Sequence, residues 1–414
     1  METNTDQSQS ARSGPRWITF TPKHFVGDAA HMARDTGLLS TGFERLGVRC
    51  DPMMPTPWCA DDDPRIRRAD PHLFYRADYW RSLGAEGVVL YAWAMPQFTG
   101  IARAIKQAGL KLLVHLDSAG WMSPRVDGWT YSKLVLHRFT RERGWIIGGA
   151  RGLVSLARGW VPGLFDLPRI EHMSLGDVIG VVSPLACERI RRFVRYYNRE
   201  DVARKVRLSM HPVSPDLKWQ GEVKAKQLCI VGRWRATDHV KNPRLMFASL
   251  EAALRGHPDY ECVVVGAYDG LIESAVSGLP QAVRKRFHLT GPLPHQQTMP
   301  LVAASRISLC TSVSESFHIA SGEALCCGGS VVAPASPYLP ALGYFAGEDS
   351  ATLARDSSPS AMAEAVNREI ALWEGGRRDP ARISSHWTAR LHADRVAARI
   401  MELCDNPEMP DEEE

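Results

Sequence analysis

The sequence predicts an α/β protein built from two doubly wound, Rossmann-like domains that face a central cleft. Short apolar runs of strand length alternate with amphipathic stretches of helix length along nearly the whole chain. That is the pattern of parallel sheets covered by helices on both faces. The 414 residues, 44% of them hydrophobic, are enough to bury two cores of ordinary size. The alternation also restarts after His211-Pro-Val-Ser-Pro-Asp216, a segment with the Pro and Ser content of a hinge. Ligands of paired sheets of this kind sit in the cleft, at strand C-termini.

The first set of strands is expected at Trp17–Thr21, Val48–Cys50, Gly87–Trp93, Leu110–Leu116, Asp177–Val182 and Lys205–Met210. Helices are expected between them at Ala29–Leu46, His72–Leu83, Thr99–Ala108 and Leu185–Tyr197. The second set runs through strands Leu228–Val231, Glu261–Val265, Phe287–Thr290, Ile307–Cys310 and Ser330–Ala333. Its helices are Pro243–Arg255, Leu271–Val276, Gln297–Ala304, Ile319–Cys327 and Ser360–Trp373, with a long final helix at Trp387–Cys404. The expected domains are 16–215 and 216–383. A C-terminal helical segment, 384–404, returns toward the first domain, and the chain is flanked by a disordered tail (1–15) and an acidic tail (405–414).

Composition excludes several functional classes. The net charge of +4, with basic and acidic residues mixed, does not by itself point to nucleic acid. The Arg-rich helix at Glu188–Arg199 lacks any nucleic-acid module and reads as a solvated face. The nine cysteines show no CxxC or zinc spacing, so they read as reduced core residues of a cytoplasmic protein. The polar N-terminus has no apolar segment of a signal peptide, and no run of eighteen apolar residues exists to span a membrane. Neither G-x-G-x-x-G nor G-x-x-x-x-G-K-[ST] occurs, which argues against dinucleotide oxidoreductases and P-loop enzymes.

The chemistry concentrates in Ser312–Pro334, S-V-S-E-S-F-H-I-A-S-G-E-A-L-C-C-G-G-S-V-V-A-P. Apolar strands flank a helix stopped by Gly328-Gly329, a pair suited to the left-handed turn that ends helices. Glu315 lies in the loop and Glu323 within the helix. A helix N-terminus at a parallel-sheet edge favours anions, and a carboxylate further along can accept hydrogen bonds from sugar hydroxyls. Anion and hydroxyls together suggest a nucleotide-sugar.

The second half resembles the donor-binding domain of retaining GT-B glycosyltransferases, nearest glycosyltransferase family 4. The resemblance rests on V-G-R-W-R-A-T-D-H-V-K-N-P (Val231–Pro243), V-V-V-G (Val263–Gly266), L-T-G-P-L (Leu289–Leu293) and the Ser312–Ala324 segment. It extends more weakly over Trp17–Met210. It implies a GT-B architecture, with an acceptor-side first domain and a nucleotide-sugar-binding second domain. It also implies that Arg233 and Lys241 hold the leaving diphosphate, Glu315 a sugar hydroxyl and Glu323 the ribose. The backbone amides of Phe317, His318 and Ile319 would contact sugar and phosphate oxygens. His115 would reach the donor sugar across the cleft, and Gly27 would let the backbone approach the diphosphate, with Asp28 available to the acceptor. The family often has glycine where this chain has Ser316 and His318. The implied reaction is transfer from a UDP- or GDP-linked donor to an acceptor hydroxyl with retention, without a metal or other cofactor. The alternatives are a sugar-nucleotide epimerase on the same fold and a catalytically silent assembly protein.

Two stretches stand apart. Asp61-Asp62-Asp63 contains a D-x-D in a Pro-rich loop and reads as surface charge. Arg138–Phe165 interleaves Arg138, Arg141, Arg143, Arg151 and Arg158 with Trp145, Trp160 and aliphatic residues. It reads either as a helix lying on an anionic bilayer, serving a lipid-linked acceptor, or as an ordinary helix packed on the sheet.

Overall fold

The computed structural model describes residues 14–235 and 238–407. Most of both expected tails, 1–15 and 405–414, lies outside the described residues, as do the side chains of Arg141 and Arg143.

Two parallel sheets organise the chain. The first contains β1 (Arg16–Phe20), β2 (Arg49–Pro55), β3 (Arg67–Ala69), β4 (Gly87–Tyr91), β5 (Lys111–His115), β6 (Val178–Val181) and β7 (Val206–Leu208), in the order β3-β2-β1-β4-β5-β6-β7. The second contains β8 (Ala225–Val231), β9 (Glu261–Val265), β10 (Phe287–Gly291), β11 (Ser305–Leu309), β12 (Ser330–Pro334) and β13 (Ala351–Ala354), in the order β10-β9-β8-β11-β12-β13. All pairings are parallel, and strands such as β4 and β12 are buried along their whole length. Their near-continuous Val, Leu and Ala content follows from helices covering both faces. Strand order reverses beside β1 and beside β8, so the ends of β1, β4, β8 and β11 open the crevices where ligands bind.

Edge strands departed from expectation. Arg67-Arg68-Ala69 and Ala351-Thr-Leu-Ala354 carry too little apolar patterning to read as strands, yet each pairs along one side with a longer neighbour. The helix expected over Ala29–Leu46 is broken into Ala29–Met32 and Asp35–Arg45, with Asp35 at φ +48°. The helix expected over Trp387–Cys404 is likewise two, Pro380–Leu391 and Ala393–Asp405. Between them His392 is extended and bridges Val213 in parallel. The amide of Val213 donates to Leu391 O (2.7 Å) and the amide of Ala393 to Val213 O (2.9 Å). The two stretches of chain that cross between the domains are thus bonded to each other.

The final helix lies on Asp35–Arg45. Val396, Ala397, Ile400, Leu403 and Cys404 complete one apolar cluster with Trp17, Leu39, Phe43 and Val89. Gly42 permits the close approach, since a Cβ there would fall 2.1 Å from Ala393 O.

The stretch Arg138–Phe165 does not pack on the sheet. It belongs to a helical hairpin, Pro124–Arg143 and Trp145–Gly159, turned at Gly144 (φ +79°). Gly148 and Gly152 face the partner helix so closely that a Cβ on Gly148 would meet Phe139 O at 2.0 Å. The second helix leaves large apolar side chains in the open, with Trp145 86%, Ile146 87% and Leu153 62% exposed.

Candidate active site

On the second domain, β8 ends at Val231 and the chain turns through Gly232-Arg233-Trp234. The Trp234 indole is buried and donates to Val265 O (3.0 Å), while its amide donates to Ala267 O (2.7 Å). Glycine is required on both sides of this turn. A Cβ on Gly232 would lie 2.7 Å from the indole, and Gly266, at φ +120°, passes directly over Gly232 O. With Trp234 anchored inward, Arg233 points out, 74% exposed and paired with Asp238 at 3.1 Å.

Lys241 and Glu315, given separate tasks by the resemblance, lie against each other. Lys241 Nζ is 2.6 Å from Glu315 Oε1, and Ser312 Oγ donates to the same oxygen (2.8 Å). Each side chain is one-fifth exposed. The loops carrying them are tied by Val313 N to Val240 O (2.8 Å) and by Thr311 Oγ1 to Lys241 O (2.9 Å). Burial alone would push the Glu315 carboxyl up. Lys241, His318 and the Ser312 hydroxyl outweigh it and hold the group below its ordinary range.

The helix Ile319–Cys326 begins after His318, which adopts φ +70°. Its imidazole is buried and bonds Ser321 Oγ through Nδ1 (2.7 Å). Burial, then the charge of Lys241, pushes it down to about 4, so the ring is neutral at pH 7. Phe317 is a core residue, packed edge-on against Phe345 and beside His211. Phe317, His318 and Ile319 thus form the start of the helix. Glu323, one turn in, is 7% exposed and 2.7 Å from His295 Nε2. Its hydrogen bond to Glu323 raises the His295 pKa above the ordinary value. His295 stands two residues past the Leu289–Leu293 segment, in no motif of its own, and only its contact with Glu323 marks it.

The first domain corrects three expectations. His115 is fully enclosed, stacked on Tyr91 at 4.2 Å, with Nε2 on the backbone oxygen of Ser209 (3.1 Å). Burial pushes its pKa down to about 3, and it lines neither cleft cavity described below. Asp117, two positions further on at φ +41°, does bond across the cleft. Its Oδ1 accepts from Ser316 Oγ of the second domain (2.5 Å) and lies 2.8 Å from His211 Nε2, while Trp93 Nε1 donates to Oδ2 (3.1 Å).

Gly27 does not offer its amide to a ligand, because that N–H donates to Asp62 Oδ1 (2.8 Å). Asp62 in turn is no surface charge. Its side chain is 2% exposed and forms a two-pronged pair with the fully buried Arg68 guanidinium. Arg68 also donates to Phe25 O and Pro55 O, so the pair clamps the loops after β1 and β2 together. The Arg68 bonds, opposed by burial, hold the Asp62 carboxyl well below the carboxylate range. Asp28 caps the short helix after it by accepting from His31 N (2.9 Å).

Two cavities open in the cleft. One, of about 330 Å³, lies in the first domain among Asp28, His31, Asp35, Tyr91, Trp93 and Asp117. The other, of about 800 Å³, is bounded by Leu134, His137 and Arg138 of the hairpin and by Arg233, Arg235 and Ser314 of the second domain. Direct bonds set the separation of the domains. Trp121 Nε1 and Arg189 Nη1 both donate to Pro337 O (2.9 Å each), and Tyr338 OH donates to Thr130 O (2.9 Å).

Comparison with known proteins agrees with this architecture. Residues 225–371 match the family described as Glycosyl transferases group 1. Among solved structures, HepE of Anabaena in complex with UDP superposes with a TM-score of 0.59 at 14% identity, over 94% of this chain and 99% of that one. An α,α-trehalose 6-phosphate synthase from Burkholderia multivorans gives 0.61 at 14% identity, over 95% and 99%. The E. coli trehalose-6-phosphate protein bound with UDP-2-fluoro glucose gives 0.61 at 10% identity, over 95% and 99%. No curated protein sequence matches. The chain therefore has the GT-B fold, and its second domain carries the match to the group 1 glycosyl transferases.

Proposed function

We propose that the protein is a retaining glycosyltransferase of the family 4 type, moving a sugar from a UDP- or GDP-linked donor to an acceptor hydroxyl in glycoconjugate synthesis. The observation that carries this reading is that Arg233, Lys241, Glu315 and Glu323 all stand on the second domain, Arg233 held by Asp238, Lys241 and Glu315 by each other, and Glu323 by His295. In this reading Glu323 receives the ribose hydroxyls, and Arg233 and Lys241 hold the diphosphate. Glu315, ionised beside Lys241, accepts a hydroxyl of the transferred sugar. The amides at Phe317, His318 and Ile319 add donors at a helix N-terminus. The acceptor occupies the smaller cavity, with Asp28 and Asp117 as hydroxyl acceptors.

The sugar–phosphate bond breaks and the acceptor oxygen bonds the anomeric carbon on the same face. The acceptor proton passes to the departing phosphate oxygen. Two cations and the helix N-terminus support charge neutralisation without a metal. UDP-bound HepE and the UDP-2-fluoro-glucose complex have the same fold, which supports a nucleotide-sugar donor. The open apolar side of the helix Trp145–Gly159, with Trp145, Ile146 and Leu153 exposed and Arg151 and Arg158 on the same helix, supports peripheral contact with an anionic membrane bearing a lipid-linked acceptor. Among the described residues no helix is long and apolar enough to cross a membrane.

Thermal-shift measurements with UDP, GDP and ADP test the donor assignment. A rise in melting temperature with one diphosphate is expected, and no shift with any of them removes the reading. Co-sedimentation tests the membrane contact. Binding to anionic vesicles should exceed binding to neutral ones and fall with salt, and equal binding to both rejects the contact.

A further inference from the structure

We propose that Tyr338 is a positioning residue for Glu315, tying the loop that carries this carboxylate to the helical hairpin of the first domain. The inference rests on the nucleotide-sugar reading above, in which Glu315 accepts a hydroxyl of the transferred sugar.

The connection between β12 and the helix Pro340–Gly347 lies between the two domains. Pro337 O accepts from Trp121 Nε1 and Arg189 Nη1 of the first domain, at 2.9 Å each. Those two donors support each other. The Arg189 guanidinium lies 3.8 Å from the centre of the Trp121 ring, and its Nη1 also donates to Ala119 O (2.8 Å).

The next residue, Tyr338, is bonded in both directions. Its hydroxyl donates to Thr130 O of the hairpin (2.9 Å), and its ring packs edge-on against Trp121. Its own carbonyl oxygen accepts from the amide of Glu315 (3.0 Å). Thr130 stands two residues past Gly128, where φ +55° interrupts the first hairpin helix. One side chain and one carbonyl of the same residue therefore join the base of the hairpin to the Glu315 backbone.

Other bonds at this loop stay within the second domain. Lys241 and Ser312 hold the Glu315 carboxylate, and Val313 N donates to Val240 O. The Tyr338 bond differs in kind, because Tyr338 is itself held by the opposite domain. A hydrogen bond weakens steeply with misalignment, and a displacement of an ångström at a reacting centre costs rate heavily. Docking of the hairpin thus sets where Glu315 meets the sugar.

The test compares the full chain with Tyr338→Phe, which keeps the ring against Trp121 and removes the hydroxyl. Hydrogen exchange is followed by mass spectrometry with fragmentation to single amides. The Glu315 amide should exchange about fivefold faster in the variant, the effect of one neutral hydrogen bond. The Val313 amide should stay within about twofold, because its bond does not pass through Tyr338. No change at Glu315 overturns the proposal, and so does equal acceleration at both amides, the mark of general loosening. In transfer assays Tyr338→Phe should lower kcat about fivefold, with affinity for free UDP or GDP within about twofold of wild type. It should add little to the loss already caused by Glu315→Gln, since the two act as one unit. Full additivity of the two losses overturns the link. Failure of the donor reading looks different, since the wild type itself would then bind no nucleoside diphosphate.

Discussion

The two walls of the cleft are built in opposite ways. On the second domain the charged side chains lie at the ends of adjacent strands and are paired with one another, Lys241 with Glu315 and Glu323 with His295. On the first domain the groups that look functional in sequence are consumed by structure. Asp62 and Gly27 clamp two loops, and His115 is sealed under Tyr91. What lines the cavities there comes instead from Asp117 and its neighbours and from a helical hairpin between β5 and β6. One wall is a compact motif, and the other is an assembly of distant pieces.

Breaking the loop clamp should have the largest effect and should fall on stability. Asp62→Ala leaves the buried Arg68 guanidinium without its partner. The cost is on the order of 3–5 kcal/mol, seen as a lower denaturant midpoint. If stability held and donor affinity fell instead, the D-x-D loop would be functional and the contrast between the walls would disappear.

Next in size is a pair of replacements on the second domain. Arg233→Ala should lower transfer by about 2.7–4 kcal/mol of transition-state stabilisation without shifting the melting temperature, because Arg233 is 74% exposed. Lys241→Ala should lower transfer similarly but should also destabilise, since it strands a mostly buried Glu315 carboxylate. Parallel melting curves and transfer assays separate the two. Equal melting temperatures would show that the Lys241–Glu315 pair adds nothing to the fold.

His115→Ala sharpens the comparison further. A fully enclosed ring stacked on Tyr91 leaves a cavity when removed, at a cost of about 2–4 kcal/mol. Activity per folded molecule and affinity for free diphosphate should survive. A variant with wild-type stability and lost transfer would return His115 to the chemistry.

The smallest effect expected is one of pH, at the bonded pair Asp117–His211. Burial lowers the pKa of His211, but Asp117 outweighs it and the net shift is upward from 6.5. Burial raises that of Asp117, but His211 and Ser316 outweigh it and the net shift is downward from 3.8. The contribution of His211 is therefore full below 6.5 and fades as pH rises through its higher folded value. That of Asp117 is full above 3.8 and fades as pH falls through its lower folded value. Between those limits both are present. Thermal melts of wild type and Asp117→Asn from pH 4 to pH 9 should differ most at the acidic end of that window and converge above neutrality. A constant gap would exclude the pair as a titrating element.

The contrast also explains what the sequence made legible. Periodicity revealed the central strands because they are buried on both faces, whereas the edge strands Arg67–Ala69 and Ala351–Ala354 have too few apolar positions to show it. Glu315 and Glu323 stood out because one β-loop-α unit carries both. Asp117 and His295 did not, since each acquires its meaning from a partner on another element. His115 was legible as a strand-end histidine, but strand position alone does not tell a covered side chain from an open one.

The final helix has a consequence for synthesis. The second sheet and the helix Pro380–Leu391, whose Ile383, Trp387 and Leu391 complete its core, come from one continuous stretch, which can fold once that helix has left the ribosome. The first domain, although made earlier, lacks Val396, Ile400 and Leu403 over Trp17 and Phe43 until the helix Ala393–Asp405 has been made. The half of the molecule that is translated first is thus the half that matures last. A nascent chain stalled before Ala393 would display an unfinished apolar surface on its older domain, the natural target for a chaperone.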